Sequence, residues 1–351
     1  MLQKFYKNKK ILITGHTGFK GIWLTNILVS FGAKLYGISL NDSHKKNYLE
    51  LSEKKIMKNY YFNLLNKTKL NKTFQEIKPD IIFHLAAQSL VRNSYKYPEE
   101  TFETNFNGTL NVLNASLKVK TLKSLIVVTS DKCYQNLNKK KFFKEADHLG
   151  GDDPYSASKG ATEILFNSYL KSFFYKKKIG AATVRAGNVL GGGDWSKDRI
   201  IPDCARCIAK KKNIIIRNPN STRPWQHVLD VLNGYLILGK MLSKNQKKYS
   251  GNWNFGPKNK KNLNVRNLII LFLQLMKTKK KLVFLKQNKK KAESKFLNLN
   301  SSKANNLLKW ENKYNLKITL QLTADWYRDN LNNKYNNHTI SKQIENFFAF
   351  K

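Results

Sequence analysis

Residues 14–21 of this 351-residue chain read Thr-Gly-His-Thr-Gly-Phe-Lys-Gly, between a short apolar run and a segment of helical spacing. No other stretch restricts the fold as tightly. Glycines at 15, 18 and 21 allow a tight strand-to-helix turn, close approach of the backbone to a pyrophosphate, and close helix–strand packing; the helix N-terminus then faces the negative charge. The loop therefore predicts a dinucleotide-binding first βα unit, with Gly15, Thr17, Gly18, Phe19 and Gly21 at the cofactor. An acidic residue for the ribose hydroxyls is expected about 20 residues on. Asp42 stands near that position, where a loop role is equally open, and no arginine follows to hold a 2′-phosphate. That combination favours NAD over NADP.

The rest of the first half fits a doubly wound sheet. Residues 10–15, 34–39, 80–86, 124–129 and 180–186 read as buried strands, and 19–31, 99–117 and 155–175 as helices. Such alternation predicts an α/β fold with a parallel Rossmann sheet and helices on both faces. After about residue 188 the regularity fades among glycines and prolines; 214–217 and 282–285 read as short strands and 263–276 as an apolar helix. The expected division is an NAD-binding domain over 1–187 and a smaller, irregular α+β substrate lobe over 188–351, with some later segments returning to the first domain.

Composition raises a rival reading and then weakens it. The formal net charge is +41, a value met in nucleic-acid-binding proteins. Yet only eight of the 64 basic residues are arginine, the residue suited to bidentate phosphate and base contacts. The lysine clusters at 139–141, 176–178, 210–212, 258–261, 279–281 and 289–291 are scattered, without regular aromatic interleaving. They read as solvated surface and predict no specific nucleic-acid partner. Three cysteines, of which Cys204 and Cys207 form an isolated C-x-x-C, suit a reducing compartment and predict neither a disulfide framework nor a metal site. With no apolar run long enough to span a bilayer, the expectation is a soluble cytoplasmic protein with no membrane partner.

Two further segments carry chemistry. Tyr155 and Lys159 form a Y-x-x-x-K pair on one helix face, where an ammonium can lower the phenol's pKa and fit it to take a proton as hydride leaves a substrate carbon. Ser130-Asp131-Lys132 follows an apolar strand, which puts a hydroxyl, a carboxylate and an amine at the strand's C-terminal end, where parallel sheets place their reactive groups.

With these residues in view, the chain resembles the extended short-chain dehydrogenase/reductase family over nearly its whole length, and within it the sugar-nucleotide 4,6-dehydratases. The resemblance rests on the Gly15–Gly21 loop, His84-Leu85-Ala86-Ala87-Gln88-Ser89, Thr104-Asn105-Phe106-Asn107-Gly108-Thr109, the segment from Thr129 to Tyr134, and Asp153-Pro154-Tyr155-Ser156-Ala157-Ser158-Lys159. It continues through Arg185-Ala186-Gly187-Asn188-Val189, Gly193-Asp194-Trp195, the segment from Arg199 to Asp203, and Arg223-Pro224-Trp225-Gln226-His227-Val228. Lys132 stands where the dTDP-glucose and GDP-mannose enzymes of the family carry a Glu, a difference that selects the CDP-glucose branch.

The resemblance implies bound NAD and a nucleotide-sugar substrate. Tyr155 takes the C4 hydroxyl proton, Ser130 hydrogen-bonds the same oxygen, and Asp131, protonated in a dry site, donates to the departing C6 hydroxyl. Lys132 takes the C5 proton or, alternatively, orients Asp131. Leu85, Ala86, Ala87, Tyr155 and Lys159 join the loop glycines at the cofactor, and Asn63 stands where the family commonly has an Asp at the adenine edge. Ser89 meets the hexose, Asn188 a phosphate or sugar oxygen, and Arg223 and Arg199 the pyrophosphate; Trp195 and Trp225 either wall the pocket or belong to the core. Family members commonly pair two long helices per subunit, so a homodimer through 99–117 and 155–175 is expected. Alternatives are another NAD-dependent nucleotide-sugar dehydratase or a 4-epimerase of the same family, and, on charge alone, a non-enzymatic nucleic-acid-binding protein.

Overall fold

The computed structural model describes residues 1–40, 58–137, 141–257, 263–284, 296–332 and 337–349. Asp42 and the lysine clusters at 258–261 and 289–291 lie outside them, as do two of the three lysines at 139–141.

Seven strands form one parallel sheet: β1 (Lys10–Thr14), β2 (Lys34–Ser39), β3 (Lys58–Tyr61), β4 (Ile81–His84), β5 (Ser124–Val128), β6 (Gly180–Ala186) and β7 (Gly251–Phe255). Their order is β7-β6-β5-β4-β1-β2-β3, so the direction of winding reverses between β1 and β4. In such a sheet the crevice beyond the carboxyl ends at the reversal is the natural ligand site.

Strand alternation sorts the apolar side chains into a core on each face. Ile11, Ile13, Phe83 and Ile126 point to one side, beneath α1 (Phe19–Ser30) and the later helix Val228–Lys244. Leu12, Ile82, Leu125 and Val127 point to the other, beneath α2 (Lys67–Ile77), α3 (Gly108–Leu117) and α4 (Pro154–Tyr169). Burial on both faces explains why β1, β4 and β5 read as continuous apolar runs in the sequence.

Two predicted helices differ from their periodicity. The segment 99–117 is a short helix, Pro98–Phe102, then a π-turn, Glu103–Asn107, and only then α3; α4 likewise passes into a π-turn at Leu170–Phe174. Beyond residue 188, the remaining chain supplies α5 (Ile200–Ala209), α6 (Val228–Lys244), α7 (Val265–Leu275), α8 (Leu316–Leu331) and two-residue or three-residue strand pairs such as Ile214–Ile216 with Leu282–Phe284. β7 and α6 both lie in this half yet join the sheet and its first core.

Candidate active site

A cleft of about 580 Å³ runs along the carboxyl ends of the sheet. The loop after β1, the end of β2 and the exits of β4, β5 and β6 form its floor, and residues 189–225 its opposite wall. Apart from Asp42, the cofactor, catalytic and substrate positions expected from the sequence line it: Gly15, Thr17, Gly18, Phe19, Gly21, Asn63, Leu85, Ala86, Ala87, Ser89, Ser130, Asp131, Lys132, Tyr155, Lys159, Asn188, Arg199 and Arg223.

The glycine loop is shaped for a diphosphate. Gly15 has φ +74°, and a Cβ there would sit 2.7 Å from the Ala86 nitrogen; a Cβ on Gly21 would lie 2.2 Å from the Gly15 carbonyl oxygen. Both positions demand glycine. α1 begins at Gly18 without a side-chain cap, so its positive end opens into the cleft. These residues fit a dinucleotide. Asn63 accepts from the Leu65 amide through Oδ1 at 3.0 Å, and the residue lines the cleft.

The β5 exit carries the reactive turn. Ser130 Oγ caps the single turn Asp131–Cys133 by accepting from the Lys132 amide, and donates to Asp131 Oδ1 at 3.0 Å. Lys132 Nζ is 3.4 Å from the same oxygen. Asp131 is buried, and its Oδ2 is one of the buried atoms without a hydrogen-bond partner among the described residues; Asn188 Oδ1 is another. Both residues line the cleft.

α4 presents the other half. Asp153 accepts from the Ser156 amide at 3.0 Å and Pro154 occupies the first turn, so the helix starts where Tyr155 reaches the cleft. Burial raises the Tyr155 phenol above its ordinary value, against the pull of Lys132, Ser130 and Arg199. Burial likewise lowers Lys159 to about 8, opposed chiefly by the Glu163 carboxylate. Lys159 Nζ donates to the Val128 carbonyl at 3.4 Å. Lys132 and Arg199 are thus cations that work against the effect of burial on the Tyr155 phenol.

On the opposite wall, Arg199 donates to Asp194 Oδ2 at 2.8 Å and to Ser89 Oγ at 3.1 Å, which ties the two sides of the cleft together. Arg223 is buried and donates to the Thr222 carbonyl. Trp225 lines the cleft, whereas Trp195 packs edge-on against Trp326 and Tyr327 in the core. Cys204 and Cys207 sit on α5 as free thiols, and no group of three or more His, Cys, Asp or Glu among the described residues is placed to share a metal ion.

Two functional positions escaped the sequence reading. Lys20, inside the glycine loop, lines the cleft and is lowered to about 8 by burial and by Arg199; its position in the quoted loop was the available signal. Asn105, within the Glu103–Asn107 π-turn, grips both the N–H and C=O of Gln88 at 2.9 and 3.0 Å and donates to Ser158 Oγ at 2.9 Å. It thereby fixes the β4 exit against α4, and one-turn π-bulges recur at such functional places.

A seven-stranded doubly wound sheet with a glycine loop after β1 and a Tyr-Lys pair facing the β5 exit defines an extended short-chain dehydrogenase/reductase. The sequence profile of the family described as GDP-mannose 4,6 dehydratase matches residues 12–323, and the chain belongs to that family of nucleotide-sugar dehydratases and epimerases. A CDP-glucose 4,6-dehydratase from Salmonella typhimurium is 38% identical over 332 residues, covering 93% of this chain and 92% of the relative. Two solved structures share the fold. An epimerase from Methanothermobacter thermautotrophicus has a TM-score of 0.81 at 23% identity, covering 94% of this chain and 95% of that one. A dTDP-glucose 4,6-dehydratase from Bacillus anthracis in complex with NAD has a TM-score of 0.76 at 23% identity, covering 91% and 96%. Among the described residues no helix is long and apolar enough to cross a membrane.

Proposed function

We propose that this chain is an NAD-dependent lyase that converts CDP-glucose to CDP-4-keto-6-deoxyglucose with loss of water. One observation carries the reading: a carboxylate and an amine, Asp131 and Lys132, stand together with Ser130 on the turn beside Tyr155 in the same cleft. A 4-epimerase needs a proton acceptor at the C4 hydroxyl but no further acid–base pair. Elimination across C5 and C6 needs one. The 38% identity to a CDP-glucose 4,6-dehydratase supports the particular nucleotide.

NAD held along the glycine loop would supply a reversible hydride acceptor for the carbon at C4 and hydride donor for C6. Tyr155 removes the C4 hydroxyl proton, and Ser130 holds the same oxygen. The 4-ketone so formed acidifies C5–H. Lys132 takes the C5 proton, Asp131 gives a proton to the C6 hydroxyl, and water leaves. Gly15, Thr17, Gly18, Phe19, Gly21, Asn63 and Leu85–Ala87 hold the cofactor, while Ser89, Asn188, Arg199 and Arg223 hold the sugar and its diphosphate, the arginines by bidentate contact. Three free cysteines support the reading of a reducing compartment, the cytoplasm. Exposed Phe102, Ile164 and Phe173, within the segments 99–117 and 155–175, support the reading of a homodimer through them.

The test offers CDP-glucose, dTDP-glucose, UDP-glucose and GDP-mannose separately to the NAD-loaded protein. A 4-keto-6-deoxy product formed efficiently from CDP-glucose alone is expected. Preferred turnover of another nucleotide sugar, or an epimer without water loss, would overturn the assignment.

A further inference from the structure

Behind the cleft lies a buried ion pair that the proposed mechanism does not use. Glu163 is on α4 one turn beyond Lys159, and Arg185 is on β6; both side chains are almost wholly inaccessible. Arg185 meets Glu163 through two parallel contacts, Nε to Oε1 at 2.9 Å and Nη2 to Oε2 at 2.7 Å. The carboxylate also accepts from Thr129 Oγ1 at 2.5 Å, Thr183 Oγ1 at 2.8 Å and Asn252 Nδ2 at 2.8 Å. At its other end, Arg185 Nη1 donates to the Tyr134 hydroxyl at 2.7 Å and to the Glu145 carbonyl at 3.1 Å, with the guanidinium 4.8 Å from the Tyr134 ring centroid.

Thr129 and Tyr134 bound the segment Ser130–Cys133, which holds the turn and its cap. We propose that the Glu163–Arg185 pair is a positioning device that clamps both ends of the segment Ser130–Cys133, Glu163 through Thr129 and Arg185 through Tyr134. A buried pair of this kind contributes little net stability against an apolar replacement, because desolvation offsets the attraction. Its bidentate geometry instead fixes orientation. The pair joins β5, β6, β7 and α4, so the turn on β5 and the Tyr155–Lys159 face of α4 are referred to one rigid point. Glu163 also sets its charge towards Lys159, supporting the ammonium where burial works against it. The inference rests on the dehydratase reading for the roles of Ser130, Asp131 and Lys132.

Two substitutions cut the clamp and leave the ion pair whole. Thr129→Val removes one donor of the five to Glu163, and Tyr134→Phe removes the hydroxyl but keeps the ring under Arg185. The double variant is expected to lose about 100-fold in kcat, the cost of a small misplacement of reacting groups, with KM nearly unchanged and the melting temperature lowered, because each lost hydroxyl leaves a buried charged group one partner short. Thr129→Ser, which keeps the hydroxyl, should behave as wild type. A folded double variant with kcat within about threefold of wild type would overturn the proposal. Should the double variant not fold, Thr129→Val against Thr129→Ser decides: an about tenfold drop in kcat for the first alone supports the clamp, and equality refutes it. Wild-type protein that does not turn over CDP-glucose would sink the functional assignment instead. Amide exchange over residues 129–134 then still judges the clamp, which predicts faster exchange there in the double variant and is contradicted by exchange matching wild type.

Discussion

The two walls of the cleft are built on different principles. On the sheet side, Glu163 and Arg185 are wholly buried and mutually satisfied, and the reactive turn and α4 hang from them. On the other side, ion pairs sit at the rim: Asp198 meets Arg217 at 2.8 Å and Arg92 at 3.4 Å, and the side chains of all three are more than a third exposed or close to it. Buried, multiply bonded charge resists displacement, whereas exposed pairs are weak and exchange partners with solvent and ligand. The β5 exit is thus held by a fixed frame, and the rim of the opposite wall by exposed contacts that can rearrange. On the proposed dehydratase reading, the first property serves the turn and the second the rim where a charged substrate would enter.

Substitutions at the fixed wall should strike kcat, and those at the adaptable wall KM. The largest effect is expected from Tyr155→Phe, which removes the proton acceptor and should lower kcat by about 10³-fold. Next, Asp131→Asn should leave reduction of bound NAD by substrate intact while slowing water loss about 100-fold, read as accumulated NADH absorbance under single turnover. Equal loss of both steps would separate Asp131 from the acid role. Across the cleft, Arg223→Ala should raise KM about 10- to 100-fold with kcat changed little. A fall in kcat alone would erase the contrast between the walls.

A fourth prediction concerns the frame itself. His84 bridges Thr14 Oγ1 at 2.6 Å and Thr109 Oγ1 at 3.0 Å, and burial lowers it to about 3; His227, which caps α6, is lowered to about 3 for the same reason. In the unfolded chain these rings take protons near pH 6.5. The unfolded state therefore binds more protons between about pH 6.5 and 3, and stability present above that window is lost as pH falls through it. Each histidine should cost about 1.4 kcal/mol per pH unit, an order-of-magnitude figure from linkage. Urea denaturation at pH 7, 6 and 5 checks it, and His84→Gln should reduce the slope by about half. The smallest effect belongs to the rim: Arg92→Ala should change stability by about 0.5 kcal/mol or less, because its pair with Asp198 is exposed.

Much of the fixed wall was readable from sequence because its elements are local. β2 and β6 match residues 34–39 and 180–186 without shift, being apolar runs bounded by glycine or turn residues. The glycine loop, the Ser130–Lys132 turn and the Tyr155–Lys159 face each lie within a few residues of one another. β7 was not readable: Asn252 and Asn254 interrupt its apolar pattern, and their amides are spent on Glu163 and on the Phe143 carbonyl, partners far away in the chain. The π-turns were hidden for a similar reason, since apolar spacing reports a stripe and not one inserted residue. Glu163 and Arg185 stand 22 residues apart, and their pairing emerges only once α4 packs on β6.

The most direct test of the central claim uses CDP-glucose carrying deuterium at C4 with the NAD-loaded enzyme and no added reductant. The label should appear at C6 of a 4-keto-6-deoxy product, because the same hydride leaves one carbon and returns to the other. Label kept at C4, or absent from the deoxy carbon, would contradict it.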